Sequence, residues 1–65
     1  MRRRALVHRT AAQMIRTHGG NVLELLLERE FTERELGEDV SADAWFEIAV
    51  AAAELLRARR IEERR

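Results

Sequence analysis

The chemistry that this chain could perform is best sought in the segment RTHGGNVLE, residues 16–24, where a histidine precedes two glycines. Backbone N–H groups of such a loop can stabilise the oxyanion of an acyl-transfer reaction, as in the His-Gly-Gly-Gly loops of esterases. That reaction also needs a nucleophile, and the chain has no Gly-x-Ser-x-Gly elbow. Its few hydroxyl side chains pair with no base by spacing: Thr10, Thr17, Thr32 and Ser41. We therefore expect no enzymatic activity.

The two histidines are the other candidates for chemistry, as metal ligands. His8 and His18 would lie about 15 Å apart along one helix, so one chain cannot bring both to a single ion. Cysteine is absent, and so is the Glu-x-x-His pair that di-iron bundles use. We expect no metal and no cofactor. His18 lies on the apolar stripe near the end of its helix, where a buried, hydrogen-bonded or dipole-stabilised imidazole is the usual role.

The same histidine–glycine segment has the features of a corner between two helices. Gly19 and Gly20 can take the left-handed conformation that ends a helix. Asn21 is suited to the N-cap position of the next helix, and Glu24 three residues later completes a capping box. We interpret the segment as a corner rather than as a site.

The elements around this corner are predicted to be helices. The chain has 65 residues, no proline and three glycines, and it is rich in Ala, Leu, Glu and Arg, which favours helix over nearly its whole length. Apolar periodicity and helix-ending residues place the helices near 5–18, 22–36 and 42–63, after a basic N-terminal arm at residues 1–4. The predicted fold is all-α, a small three-helix chain in a single domain, residues 1–65.

Two of these boundaries depend on single residues. A second capping box beginning at Thr32 leaves open a break of the second helix near Phe31. Ser41 is the predicted N-cap of the third helix, and Val40 and Trp45 would form a hydrophobic staple across its first turn.

The second and third helices have apolar faces that are too wide for one small bundle to bury. Residues 22–27 are apolar around well over half of the helical circumference. The third helix carries one stripe with Trp45, a second side with Phe46, and alanines that would let other helices approach it from two directions. We therefore predict a helical-bundle homodimer or higher oligomer, a non-enzymatic protein-interaction or regulatory module. The predicted interface comprises apolar residues of both helices: Leu23, Leu26, Leu27, Phe31, Trp45, Phe46, Ile48, Ala49, Ala52, Leu55 and Leu56.

Charge is unevenly distributed although the formal net charge is zero. Residues 1–20 carry five arginines and no acid, a charge of +5, whereas residues 21–40 carry seven acids and two arginines, a charge of −5. Arginines on an arm and a helix suit phosphate contacts, so the alternative function is a small DNA- or RNA-binding regulator. Its predicted contacts are the arginines of the first segment: Arg2, Arg3, Arg4, Arg9 and Arg16. Against it, the acidic second helix would be repelled from a DNA groove and could instead neutralise the first helix.

No apolar run in the sequence approaches the roughly 18 residues of a membrane span. The N-terminal residues also lack the apolar core of a secretory signal. We expect no membrane partner and a cytoplasmic location.

One pattern extends over most of the chain, roughly residues 11–56. It consists of A11-x-x-M14-I15-x-x-H18-G19, then G37-E38, then A42-x-x-W45-x-x-I48 with Ala51, Ala52 and Leu55 after it. This pattern resembles a group of short, uncharacterised helical proteins of alphaproteobacteria, in which a helix ends in His-Gly and the last helix carries Trp-x-x-Ile. The resemblance implies a small helical fold, and it implies no particular activity.

Overall fold

The structure is a computed structural model that describes residues 2–63, with side chains from Arg3 onward. These residues form three α-helices: α1, Arg2–His18; α2, Val22–Glu35; and α3, Asp39–Glu63. A single turn of 3-10 helix, Gly19–Asn21, joins α1 to α2. The all-α prediction is confirmed, and α2 has the predicted bounds to within one residue, with no break at Phe31.

The centre of the fold is α3. Both α1 and α2 pack along it, and they make little contact with each other, as the alanines of α3 predicted. The buried residues of α3 are all alanines: Ala42, Ala49, Ala51 and Ala52. The largest fully buried side chains of the described residues, Leu26 and Val22, both belong to α2. Small side chains on α3 let the other helices come close, but they also keep the apolar core small.

The corner between α1 and α2 depends on one glycine. Gly19 has φ +62°, in the left-handed region, whereas Gly20 has no positive φ. Asn21 is at the N-cap position of α2, but its side chain donates and accepts no capping hydrogen bond, so the predicted capping box does not form. His18 is exposed in the last turn of α1, so of the roles expected for it burial is wrong, whereas its place at the C-terminal end of the helix is as predicted.

Alanine substitutions at the two glycines should therefore have different effects. Gly19→Ala should cost about 1–2 kcal/mol, because an L-residue is strained in the left-handed region. Gly20→Ala should be neutral or stabilise the chain by about 0.4–1 kcal/mol, since it restricts the unfolded chain and a Cβ there meets no atom within 4 Å. Urea unfolding followed by circular dichroism measures both. Equal effects of the two substitutions would contradict the assigned corner.

The turn between α2 and α3 explains why α3 begins earlier than predicted. Gly37 has φ +81°, its N–H donates to the carbonyl of Arg34 at 3.0 Å, and the N–H of Glu38 donates to the carbonyl of Glu33 at 2.9 Å. This is the hydrogen-bond pattern of a Schellman motif. It leads directly into α3, whose first turn contains Asp39, an acid that the helix dipole favours.

The predicted start of α3 at residue 42 is therefore wrong by three residues. Ser41 lies inside the first turn instead of capping it, and the N–H of Ala42 already donates to the carbonyl of Glu38 at 2.9 Å. The hydrophobic staple is also wrong, because Val40 is exposed.

The basic segment at the N-terminus is helical from Arg2, so the predicted arm at residues 1–4 is wrong for the three residues described; Met1 lies outside the described residues. Arg3 shows the physical reason. Its guanidinium donates two hydrogen bonds to the carboxylate of Glu47 on α3, Nε to Oε1 at 3.2 Å and Nη2 to Oε2 at 3.1 Å. The pair is exposed to solvent and contributes at most about 1 kcal/mol, but it shows that the first turn of α1 lies beside α3.

Candidate interaction surfaces

The contact between α2 and α3 is held by polar groups at one end. Arg34 donates to Glu30 of its own helix at 2.8 Å and to Asp43 of α3 at 3.1 Å. The hydrogen bond to Glu30, followed by the one to Asp43, raises the pKa of Arg34 above its usual value. The guanidinium therefore links the last turn of α2 to the first turns of α3, and its charge is neutralised there.

Trp45 belongs to the same contact between α2 and α3. The ring is half-buried and packs against the core. The guanidinium of Arg29 on α2 lies 5.1 Å from the ring centroid, within the range of a cation–π interaction. Trp45 therefore stabilises the single chain, and one side of its ring lines the shallow cleft between α2 and α3.

The structure divides the predicted interface residues into three groups. Leu26, Ala49 and Ala52 are buried within the chain and leave almost no surface for a partner. A second group is half-buried against that core: Leu23, Trp45, Ile48, Leu55 and Leu56. The third group remains exposed and can contact another molecule: Leu27, Phe31 and Phe46.

The exposed residues of α2 form a narrow apolar surface, here called the α2 stripe, which consists of Leu27 and Phe31. They are 47% and 63% exposed, and being four residues apart they are neighbours on one side of the helix. Helical spacing places three carboxylates beside them, Glu24, Glu28 and Glu35. The α2 stripe is therefore apolar with an acidic border.

Phe46 belongs to a different surface, a groove of about 490 Å³ between α1 and α3 that we call the α1–α3 groove. Its floor is apolar, and Phe46 and Val50 are 50% and 44% exposed there. The residues that line it come from both helices: Arg3, Arg4, Val7, His8, Phe46, Glu47, Val50, Ala51 and Glu54. Val50 was not in the predicted interface, although it follows Phe46 by four residues and therefore shares its face of α3.

The two sides of the α1–α3 groove have opposite charge. Arg3, Arg4 and His8 lie on the α1 side, and Glu47 and Glu54 lie on the α3 side. Arg3 and Glu47 neutralise each other within the chain. Among the described side chains, no ion pair involves Arg4 or Glu54. The groove therefore has one available positive group and one available negative group on opposite sides.

The arginines predicted to contact nucleic acid do not form one surface. Arg3 is paired with Glu47, and Arg4 lines the groove. Arg9 is exposed, and helical geometry places it about 140° from Arg4 around the axis of α1. Arg16 is exposed on the same side as Arg9 and donates to Gln13 at 2.8 Å. The Arg2 side chain, also a predicted contact, lies outside the described side chains.

Residues 2–63 contain neither a cluster of metal-binding side chains nor a helix suited to crossing a membrane. Within this range no group of three His, Asp or Glu side chains is arranged to hold a metal ion. No helix in the same range combines the length and the apolar character that crossing a membrane requires.

Comparison of the chain with protein-family models, curated proteins and solved structures gave no match. The resemblance to short alphaproteobacterial helical proteins therefore stays a prediction.

Proposed function

We propose that the chain is a non-enzymatic helical interaction module that associates with itself, as a homodimer or a higher oligomer. The observation that supports this proposal is the amount of surface that one chain leaves exposed. The accessible surface is 5347 Å², whereas a folded monomer of 7.6 kDa is expected to expose about 4,300 Å².

The excess of roughly 1,000 Å² is comparable with the roughly 800 Å² that each partner buries in a standard protein–protein interface. It follows from the flat arrangement of the helices, which extends 44 × 27 × 16 Å with a radius of gyration of 12.4 Å. A globular domain of this length has a radius of gyration of about 10.7 Å. Part of the excess is apolar, because both the α2 stripe and the α1–α3 groove expose large side chains.

Nucleic-acid binding is the weaker candidate. Phosphate binding needs several cations that reach one backbone together. Here Arg3 is neutralised by Glu47, and Arg4 lies on a different side of α1 from Arg9. The acidic border of the α2 stripe would repel a phosphate backbone as well. Exposed Arg9 and Arg16 are the observation that still favours it.

Self-association can be measured directly by sedimentation equilibrium over a range of micromolar concentrations. We expect a mass of at least twice the 7.6 kDa of one chain, decreasing to that of one chain on dilution. Added duplex DNA at physiological salt should change the constant for self-association little. A mass that stays at 7.6 kDa throughout would contradict the proposal, and a salt-sensitive complex with DNA would favour the weaker candidate instead.

A further inference from the structure

We propose that two copies of the chain pair through the α1–α3 groove, about a two-fold axis that crosses the mouth of the groove midway between Arg4 and Glu54, at right angles to the line that joins them. This inference rests on the proposed self-association and assigns it to one surface. The partner is a second copy of this chain, and the α2 stripe is left free in the pair.

The charges of the groove are complementary to themselves. Arg3 contacts Glu47, so Arg4 lies on the α1 side near one end of the groove and Glu54 lies on the α3 side near the other. A two-fold axis between them exchanges these two positions. Arg4 of each copy then faces Glu54 of its partner, and the positive and negative groups that find no ion-pair partner within the described side chains are paired twice. Opposite charges that meet in this way fix the register of an interface.

The α2 stripe does not have this property. Its neighbouring charges, Glu24, Glu28 and Glu35, are all negative. Arg34, on the other side of the stripe, is already held by Glu30 and Asp43. A two-fold pairing of the α2 stripe would therefore gain no ion pair for its acidic border, because the arginine on the opposite side is already paired.

The apolar floor of the groove supplies the driving force. Phe46 and Val50 are about half exposed, and the groove beside them has a volume of about 490 Å³. In the pair, the Phe46 ring of one copy enters the groove of the other, and both rings lose their contact with water. An aromatic anchor in a desolvated pocket with charged groups at the rim is the usual composition of a protein–protein interface.

Charge reversal tests this arrangement. Arg4→Glu should raise the dissociation constant of the pair about ten-fold or more, because symmetry makes each altered contact count twice. Glu54→Arg should have a similar effect. The double variant restores opposite charges across the interface and should bring the dissociation constant back to within about three-fold of the unmodified chain.

Two matched controls change the net charge by the same amount outside the groove. Arg9→Glu lies on the other side of α1, and Glu35→Arg lies at the end of α2. Both should leave the dissociation constant nearly unchanged, and circular dichroism should show the same helix content for every variant. If the controls weaken the pair as much as Arg4→Glu, or if the double variant does not recover, the groove is not the interface although the chain still self-associates.

A second measurement locates the contact without relying on charge. The chain contains no cysteine, so a single introduced thiol can form a disulfide only with the same position in the partner copy. Val50→Cys, on the floor of the groove, should form a disulfide-linked dimer rapidly under mild oxidation, at the concentrations where the unmodified chain pairs. Leu27→Cys, on the α2 stripe, should remain mainly monomeric on a denaturing gel. A disulfide-linked dimer of Leu27→Cys, with Val50→Cys mainly monomeric, would overturn the inference and assign the pair to α2. A chain that is monomeric at all concentrations would overturn the proposed self-association as well.

Discussion

Replacing Leu26 with alanine is expected to lower the free energy of unfolding by about 2–5 kcal/mol. Leu26 is fully buried and has the largest volume among the fully buried side chains. A chain of this length has a total stability of only about 3–10 kcal/mol. The variant should therefore lose a large part of the stability of the chain and unfold at a much lower urea concentration, which circular dichroism can measure.

Its natural control is the next residue. Leu27→Ala removes the same atoms from a side chain that is half exposed on the α2 stripe, and it should cost less than about 1 kcal/mol. Both variants must be compared at one protein concentration, because the proposed self-association would add to the apparent stability. Similar losses at the two positions would mean that α2 faces α3 with a different side from the one described.

The second large effect is expected at Trp45. Trp45→Ala should cost about 2–3 kcal/mol, less than the 3–5 kcal/mol of a fully buried aromatic ring, because one side of the indole is exposed. The loss comes from packing between α2 and α3. It should appear as a lower urea midpoint with helix content retained below the transition.

Two further substitutions separate the contributions around this ring. Arg29→Ala removes only the cation–π interaction and should cost about 0.5–1 kcal/mol. Phe46→Ala removes an aromatic ring from the α1–α3 groove. It should weaken the proposed association more than it lowers the stability of the single chain. A Trp45→Ala variant as stable as Arg29→Ala would show that the indole is held mainly by the guanidinium and not by the core.

Local signals in the sequence were sufficient for much of the fold. Gly19 and Gly37 both have the positive φ that ends a helix, and the alanines of α3 correctly indicated a helix approached from two sides. The start of α3 was predicted too late because Ser41 is a good N-cap in isolation. The Schellman motif at Gly37 competes with it by continuing the chain directly into a helix.

The candidate site depended on contacts that are distant in sequence. Arg3 and Glu47 are separated by 44 positions, so nothing near the N-terminus indicated that the basic segment would be held against α3. Apolar periodicity likewise identified wide faces on α2 and α3 without showing which part the chain covers itself. Leu26 and Leu27 are adjacent and chemically identical, and only the position of α3 decides that one is core and the other surface.

The alanines that line α3 also determine how this protein should respond to temperature. The heat capacity of unfolding arises mainly from the hydration of apolar surface, and the four buried alanines of α3 contribute few apolar atoms to it. We therefore expect the heat capacity change of unfolding of the single chain to lie below the roughly 12–15 cal/mol/K per residue of ordinary domains. A smaller heat capacity change makes the curve of stability against temperature shallower. The proposed pairing through Phe46 and Val50 would add apolar burial to that of the single chain. Because such burial weakens on cooling, low temperature should separate the two copies before it disturbs their helices.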